Sequence, residues 1–510
     1  MGAAKPTVVL KEAILRPQHF AKDIFTSPLS LTLLPTQKWA ITGTHKSVML
    51  QVLAGQFTAV PAASRTYPFL EQSVWPATVT SLVAFDTNIK PAYLAARYES
   101  FREVEDADLE SFLRRAFHAS PTDVEAVARQ EKVFETVVTR LGLEGMLKQW
   151  VVTLSNGQNR RARIARGLLK SPRLLLADEP FLGLDPTATA TLSDMLNELA
   201  PNPHVILGLR AHEPMPEWIT HVAVVDETGL VDSGTKAEVA ETLKALTEKR
   251  NSIYIRNKFN FKAAGMIPPE RKGVTSIIDM DHVNIQYQDR LVIQDLKWVV
   301  RRGEKWHLQG NNGSGKSTLL SMLTADHPQS WNSKVKIFDE PRKVGKQNYF
   351  SINRVIGHAS PEIHAIFPKT LTARQAVATG FTIGSFLPPS GSAHIAGTLT
   401  KEQREARVQQ FLDYFSVKGE TVFADLSLND QKLVLFMRAI VKNPEILVLD
   451  EAFSGMNDRS ILLCKQFVDD WGGTVIAIGH VADEIPRCDK YIRLFGKGQA
   501  PDLGLVKYEE

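Results

Sequence analysis

Hydrophobic residues along this chain occur in short runs separated by polar and glycine-containing segments. The runs at residues 174–177 and 446–449 are four residues long, and each is followed directly by Asp-Glu. Runs of this length are typical of strands that are buried on both faces of a parallel sheet. Apolar residues at helical spacing predict helices over residues 107–118, 123–141 and 401–415. Short buried strands together with amphipathic helices indicate an α/β fold.

A glycine-rich segment at residues 310–318 matches the phosphate-binding pattern of Gly, four residues and Gly-Lys-Ser. It follows a strand-like run containing Trp306 and opens a helix-like run at Leu319, which is the context that the pattern requires. Glycines let several backbone N–H groups point at one phosphate, and the helix N-terminus adds a favourable field. Lys316 would neutralise the β- and γ-phosphates, and the Ser317 hydroxyl would complete a magnesium shell. The residues predicted to bind a nucleoside triphosphate are Gly310, Asn311, Asn312, Gly313, Ser314, Gly315, Lys316, Ser317 and Thr318.

A damaged copy of this segment lies upstream, at residues 39–50. Aligning Gly43 with Gly310 gives an offset of 310 − 43 = 267. Aligning Lys46 with Lys316 gives 316 − 46 = 270, so three residues are missing from the upstream loop, including both later glycines. The remaining loop is too short to wrap a triphosphate. Lys46 keeps the ability to contact an anion.

Two further segment pairs repeat at one spacing. Residues 154–158 match 426–430 at an offset of 426 − 154 = 272. Residues 174–180 match 446–452 at 446 − 174 = 272. The period is the size of a domain, so the chain is predicted to contain two homologous domains of roughly 240 residues.

The predicted boundaries are a degenerate nucleotide-binding domain at 1–250, a linker at 251–272 and an intact domain at 273–510. The segment 257–272 is basic, carries Pro268-Pro269 and has no clear periodicity, as expected of a linker.

These ordered motifs resemble those of ATP-binding cassette (ABC) ATPases: the phosphate-binding loop, the Leu-Ser-x-Gly-Gln signature, the apolar run ending in Asp-Glu, and a downstream histidine. Residues 324–330 and 356–364 are similar to the second half of ModF/PhrA-type proteins. Those are soluble tandem cassettes, and their fungal relatives include members assigned to mitochondria. The resemblance implies two P-loop NTPase domains in tandem. Each would have a RecA-like, mostly parallel sheet, an antiparallel β subdomain and a helical subdomain.

The resemblance also implies roles for individual residues of the second domain. Tyr287 matches the aromatic residue that stacks on adenine. Asp450 would hold Mg²⁺ together with Ser317. Glu451 would act as the general base, and His480 resembles the switch histidine that contacts the γ-phosphate. The catalytic residues implied in this way are Lys316, Glu451 and His480.

In ABC ATPases, two cassettes bind ATP head to tail, between the loop of one domain and the signature of the other. The intact loop would therefore face the first domain's signature, in which Ser155, Gly157 and Gln158 would contact the nucleotide. The damaged loop would face residues 426–430, where Asn429 replaces the glycine and Asp430 adds a negative charge. At ~6 Å and a dielectric constant near 20, each like-charge pair with a phosphate costs about 3 kcal/mol. The chain is thus expected to work as an intramolecular pseudo-dimer with one active site.

Two departures from the family pattern stand out, and one position is kept. Arg210 occupies the place of His480 in the first domain, and an arginine binds phosphate without switching protonation. Phe20 keeps the aromatic position, so the first domain either retains a nucleotide without hydrolysing it or uses Phe20 only for packing. The glutamine that usually touches magnesium and relays motion to membrane partners is missing near Glu362, and near Asp86 in the first domain. Glu362 is a candidate replacement, and coupling to a membrane domain is in doubt.

Composition adds bounds to this interpretation. A net charge of +4 on 510 residues gives no indication of nucleic-acid binding. The two cysteines, Cys464 and Cys488, lack metal-ligand spacing and favour a reducing intracellular setting. No run approaches the ~18 apolar residues of a membrane span. An exporter carrying its own membrane helices is thereby disfavoured.

The N-terminal residues are basic, which is a feature of mitochondrial presequences. The run Val8-Val9-Leu10, however, is predicted to form the first cassette's opening strand, so a removable presequence is not expected. The compartment is mitochondrial by family resemblance, with the cytoplasm as the alternative.

Three function classes remain open, and all use ATP and Mg²⁺. The first is a soluble ATPase coupled to an unknown protein partner. The second is an ABC-F-like ribosome factor, against which the linker at 257–272 is short and broken by proline. The third is the ATPase subunit of a multisubunit membrane transporter.

Overall fold

The computed structural model describes most of the chain and divides it into two compact units, Met1–Ser252 and Ile253–Glu510. The described residues are 5–17, 22–71, 74–84, 107–117, 124–151, 154, 156–182, 184–200, 202–211, 213–251, 258–266, 273–287, 290–311, 313–343, 347–389, 399–496 and 498–506.

The first unit combines two sheets with helices. Its strands are β1 (Val8–Arg16), β2 (Leu29–Leu33), β3 (Trp39–Thr42), β4 (Thr58–Val60), β5 (Arg65–Thr66), β6 (Thr80–Ala84), β7 (Leu174–Asp178), β8 (His204–Gly208), β9 (His221–Asp226) and β10 (Gly229–Thr235). Its helices are α1 (Lys46–Leu53), α2 (Pro76–Val79), α3 (Leu109–Arg114), α4 (Val124–Arg140), α5 (Asn156–Leu168), α6 (Pro186–Leu199) and α7 (Ala240–Asn251).

The second unit repeats this plan. Its strands are β11 (Ile278–Tyr287), β12 (Arg290–Val300), β13 (Lys305–Gln309), β14 (Val335–Ile337), β15 (Glu340–Pro341), β16 (Ile356–Ala359), β17 (Ile446–Asp450), β18 (Thr474–Ile478), β19 (Lys490–Arg493) and β20 (Asp502–Leu505). Its helices are α8 (Lys316–Thr324), α9 (Tyr349–Val355), α10 (Pro361–Ile366), α11 (Ala373–Ala378), α12 (Lys401–Phe415), α13 (Leu428–Ile440) and α14 (Asp458–Trp471).

Sheet topology is the same in the two units. The larger sheet runs β6-β7-β8-β3-β9-β10 in the first unit and β16-β17-β18-β13-β19-β20 in the second. In both, the described strands are parallel except for the last, which pairs antiparallel. A smaller antiparallel sheet, β2-β1-β4 or β12-β11-β14-β15, completes each unit. The duplication read from the spacing of the motifs is therefore visible in the fold, and the expected fold class is confirmed.

Alternation within the apolar runs explains why these segments form buried strands. In β17, Ile446 and Val448 pack into one hydrophobic cluster, whereas Leu447 and Leu449 pack into another. Strand β7 divides its side chains between two clusters in the same way. Burying one such side chain stabilises the fold by ~1.5–3 kcal/mol. Both faces of each larger sheet are thus covered, as the sequence predicted.

Helix boundaries agree with the sequence to different degrees. Helix α12 covers the predicted 401–415, and Thr400 caps it by accepting a hydrogen bond from the Gln403 N–H at 3.3 Å. Helix α3 is shorter than the predicted 107–118, because Asp108 is its N-cap and Arg115 its C-cap. Helix α4 begins at Val124 and ends one residue before the predicted end.

Part of the predicted linker packs within the second unit. The Phe259 ring lies 4.9 Å from the rings of Phe411 and Phe467, and Met266 is fully buried. The Arg407 guanidinium donates a hydrogen bond to the carbonyl oxygen of Gly265 at 3.1 Å. Aromatic pairs add ~0.5–1.5 kcal/mol each beyond burial. Residues 258–266 are therefore part of the second unit's core rather than a free tether.

Cys464 and Cys488 are buried free thiols, and burial raises the pKa of Cys488 to about 12. Within the described residues, no helix combines the length and the hydrophobicity that a bilayer crossing requires.

Candidate active site

The glycine-rich loop of the second unit joins the end of β13 to the start of α8. Strand β13 lies inside the parallel sheet, between β18 and β19. In open α/β sheets, ligands bind at the carboxyl ends of the strands. The sequence thus places residues 310–315 at the edge where ligands bind in such sheets.

Glycine is required in this loop for two physical reasons. Gly310, Gly313 and Gly315 have φ values of 145°, 80° and 102°, in the region that side chains disfavour. A Cβ on Gly315 would lie 2.7 Å from Val292 Cγ1, and one on Gly310 would lie 2.5 Å from the Leu494 carbonyl oxygen. The loop conformation therefore depends on the glycines that define the motif.

Lys316 is the first residue of α8 and is buried. Its Nζ donates hydrogen bonds to the carbonyl oxygens of Gly310 at 2.6 Å and Asn311 at 3.2 Å. The loop's own backbone thus holds the ammonium group at the loop. Ser317 follows on the same helix with an exposed side chain.

Two carboxylates lie at the same sheet edge. Asp450 is the last residue of β17, and Glu451 follows with φ 45°, its N–H donating to the Ile478 carbonyl oxygen at 2.9 Å. Glu451 Oε1 lies 3.8 Å from Nε2 of His480, which comes just after β18. The structure therefore brings Asp450, Glu451 and His480 together, as the sequence predicted for adjacent strand ends.

Burial and mutual repulsion dominate the protonation of these carboxylates. Burial, followed by the charges of Glu362 and Glu451, raises the pKa of Asp450 well above its usual range. Burial also raises the pKa of Glu451 to about 7, although Lys432 and Lys316 pull it down. A carboxyl group with a pKa near neutrality is suited to taking up a proton during a reaction.

Some contributors to this electrostatic environment were not found from the sequence. Lys432 on α13 donates to the Ser454 carbonyl oxygen and lowers the pKa of Glu451, while Glu484 raises it. No motif marks Lys432 or Glu484, because each reaches the site through tertiary packing. Glu362 could be found from the sequence, because it lies near the position where the family's glutamine is missing. Its charge raises the pKa values of both Asp450 and Glu451.

The oxygen groups at this edge suit a hard divalent cation. Mg²⁺ is usually held by one or two protein oxygens, with phosphates and water completing its shell. The exposed Ser317 side chain and the Asp450 carboxylate are ligands of that kind. Among the described residues, no group of three or more His, Cys, Asp or Glu side chains forms an all-protein cage. The arrangement fits Mg²⁺ bound together with a nucleotide.

Several predicted residues lie outside the described part of the chain. They are Asn312, Ser155, Phe20 and Asp86, and the side chain of Tyr287, whose backbone ends β11.

The first unit's signature lies at the start of α5. Gly157 is buried, and a Cβ there would be 3.4 Å from Ala188 Cβ, an ordinary contact distance. Gln158 follows on the same helix and is half-buried. The fold of the first unit therefore does not itself require glycine at position 157.

The degenerate signature of the second unit is satisfied by its own neighbours. Ser427 caps α13 by accepting from the Asp430 N–H at 3.1 Å, and its hydroxyl donates to Asp430 Oδ2 at 2.9 Å. Asn429 Oδ1 accepts from the Asn457 N–H at 2.9 Å. The polar groups of this segment are thus engaged within the second unit.

The first unit's equivalent of the phosphate site is occupied by ion pairs. Lys46 Nζ donates to Glu179 Oε1 at 2.5 Å, and Arg210 donates to both oxygens of Glu179 at 3.2 Å. Burial opposes ionisation of Glu179, but Lys46 and Arg210 outweigh it and lower its pKa to about 2. Lys46 therefore does contact an anion, and that anion belongs to the protein.

Comparisons with known proteins agree with this geometry. A protein-family model described as ABC transporter matches residues 26–182 and 293–454 of this chain. The chain belongs to the ABC family. Homologues that carry the name ABC transporter ATP-binding protein indicate that it is an ATPase.

Similar sequences cover most of this tandem ABC ATPase. A Saccharomyces cerevisiae protein described as the uncharacterized ABC transporter ATP-binding protein YDR061W is 38% identical over 92% of each chain. A Schizosaccharomyces pombe protein, C323.04, is 33% identical over 90% of this chain and 92% of its own. Escherichia coli ModF is 28% identical over 72% of this chain and 74% of its own. The expected resemblance to ModF is confirmed.

Solved structures agree at the level of fold. An archaeal ribosome recycling factor, aABCE1, in complex with the ribosomal stalk protein aP1, matches with a TM-score of 0.53 and 15% identity. That match covers 96% of this chain and 89% of the other. Identity this low supports the tandem ABC fold alone.

Replacing Gly315 by Ala is predicted to weaken nucleotide binding by at least about tenfold, or ~1.4 kcal/mol. The new methyl group would collide with Val292, and the φ of 102° would add strain. Isothermal titration with an ATP analogue measures the effect. Gly303→Ala is the matched control, because its φ is also positive, at 76°, and its nearest neighbour is 3.6 Å away. Equal affinity in the two variants would contradict the assignment of the loop.

The ion pairs of Glu179 predict a pH-dependent contribution to stability. Its pKa in the folded state, about 2, lies below the ordinary 4.5. The contribution is fully present above pH ~4.5 and is lost as pH falls towards 2, on the order of 3 kcal/mol in all. The stability difference between wild type and Glu179→Gln should therefore shrink between pH ~5 and ~3 in denaturant unfolding. Glu198→Gln, at an exposed position on α6, should show no such trend.

Proposed function

We propose that this ABC ATPase hydrolyses ATP at one composite site, formed by the phosphate loop of the second unit and the signature at residues 154–158 of the first. The pairing of intact with intact motifs carries this proposal. The loop at 310–318 keeps its glycines and its lysine, and the signature keeps a glycine that its own unit does not need for packing. Because packing within the first unit does not require glycine at position 157, we attribute this glycine to the close approach of a phosphate to the backbone.

The residues of the second unit would share the chemical work. Backbone N–H groups of the loop and the Lys316 ammonium would hold the β- and γ-phosphates. Ser317 and Asp450 would hold Mg²⁺, which supplies positive charge against the phosphate oxygens when bound. Tyr287 would stack on adenine, and Ser155, Gly157 and Gln158 would close over the γ-phosphate.

Hydrolysis would proceed by in-line attack of water on the γ-phosphorus. Glu451 accepts the water's proton as the new P–O bond forms and the bond to the β–γ bridging oxygen breaks, which gives ADP and phosphate. The pKa of about 7 for Glu451 is close to that of an effective base at neutral pH. His480, 3.8 Å from Glu451, would orient that carboxylate and contact the γ-phosphate.

The first unit would act chiefly by contributing its signature, so that the chain works as an intramolecular pseudo-dimer. Closing on ATP and opening after hydrolysis would then be the output, passed to a protein partner. A ribosome-associated role is the alternative, because a fold neighbour is described as ribosome-bound archaeal Pelota and ABCE1. Against it, residues 258–266 of the predicted linker pack into the core of the second unit.

Paired substitutions test the composite site. Lys316→Ala and Gly157→Asp should each lower the ATPase rate at least about 100-fold, because the first removes a positive charge from the phosphates and the second places a carboxylate beside them. Lys46→Ala is the matched control for Lys316→Ala and should change the rate little. Steady-state phosphate release gives the measurement. Equal losses from Lys46→Ala and Lys316→Ala would refute the single-site proposal.

A variant that binds ATP without hydrolysing it tests whether closing on ATP is passed to a protein partner. Glu451→Gln should bind ATP without hydrolysing it and so hold the partner, which proximity labelling in cells would identify together with the compartment, mitochondrial or cytoplasmic. The double variant Glu451→Gln, Lys316→Ala is the control, since it should not bind ATP. Proteins that are labelled by Glu451→Gln but not by the double variant, and that are neither ribosomal nor membrane-embedded, would support the proposal. Ribosomal proteins would favour the alternative, and a polytopic membrane protein would instead indicate a transporter subunit.

A further inference from the structure

We infer that Lys46, Glu179 and Arg210 form an ion-pair lock that replaces a triphosphate in the first unit, so that the chain binds a single nucleotide, at the second unit. The inference concerns the first unit and goes beyond the proposed hydrolysis.

The two units provide a direct comparison of the same three positions. In the second unit, Lys316 stays on its loop carbonyls and His480 lies 3.8 Å from Glu451. In the first unit, the equivalent lysine crosses to the equivalent glutamate at 2.5 Å, and Arg210 holds both of that glutamate's oxygens. The lysine and glutamate that would serve ATP are therefore bound to each other.

Charge balance favours the lock over an added anion. Arg210 also lies 3.7 Å from Glu213, so two cations face two carboxylates. The side chains of Lys46, Glu179, Arg210 and Glu213 are only 10–19% exposed. A triphosphate would have to break the Lys46–Glu179 pair and place its charge beside a buried carboxylate, which is strongly unfavourable.

The shortened loop is also engaged by the protein. A Cβ on Gly43 would collide with the Val225 carbonyl oxygen, and the His45 N–H donates to that same oxygen at 3.2 Å. The loop thus lies against the end of β9, and at least one of its N–H groups is directed at the backbone rather than at a ligand.

The ion-pair lock connects three elements of the first unit, α1, β7 and β8. Lys46 begins α1, Glu179 follows β7, and Arg210 follows β8. Arg160 on α5, the signature helix, donates to the Glu179 carbonyl oxygen at 2.8 Å. The lock therefore braces the sheet edge behind the signature without any ligand.

Nucleotide stoichiometry of the full chain tests the inference. Equilibrium dialysis with Mg²⁺ and a non-hydrolysable ATP analogue should give one nucleotide per chain for wild type and for Lys46→Met, and none for Lys316→Met. A second nucleotide in wild type, or one retained by Lys316→Met and lost on adding Lys46→Met, would overturn it. Absence of ATPase activity in wild type would sink the proposed hydrolysis yet leave this stoichiometry unchanged.

Thermal unfolding provides an independent readout. Lys46→Met and Glu179→Leu should each lower the melting temperature of the first unit by several degrees, and the double variant should lose less than the sum. Lys316→Met is the matched control and should leave that transition in place. Additive losses, or no loss from Lys46→Met, would show that no lock exists.

Discussion

The balance of charge at the carboxyl edge of a parallel sheet is the constraint on which both halves of this protein depend. Strand topology delivers a lysine, an acidic pair and a polar or cationic group to that edge in each unit. In the second unit burial, together with the charge of neighbouring carboxylates, raises the pKa values of Asp450 and Glu451. In the first unit two cations hold Glu179 ionised. The carboxyl groups of the second unit therefore favour their protonated form, whereas the Glu179 carboxylate of the first unit is paired with two cations.

Because the chain contains two copies of one domain, equivalent residues of the two units can be compared directly. Both units share one strand order, so differences between equivalent residues reflect substitution rather than a change of fold. The loss of three loop residues in the first unit is accompanied by Arg210 in the histidine position, and Asp430 in the second unit's signature accepts a hydrogen bond from the Ser427 hydroxyl. Both Arg210 and Asp430 have hydrogen-bond partners within their own units.

Much of the fold was predictable because its signals are local. Four-residue apolar runs predict β7 and β17, and the spacing of apolar residues predicts α12 to the residue. The aromatic packing of Phe259 was not predictable, because its partners lie about 150 and 200 residues away and share no pattern with it. The motif residues of the candidate site could be predicted from their spacing in the sequence. The influence of Lys432 and Glu484 on Glu451, and the Lys46–Glu179 ion pair, could not, because they depend on contacts between segments that are far apart in the chain.

The ion pairs of the first unit also bear on how such a site changes over time. Restoring histidine at position 210 would remove one of two cations from a buried carboxylate, and lengthening the loop would still leave Lys46 held by Glu179. Replacing Arg210 thus leaves the buried Glu179 carboxylate with one cation fewer, whereas a longer loop alone leaves the Lys46–Glu179 pair intact. Converting the first unit's site to the pattern of the second would therefore need several changes at once.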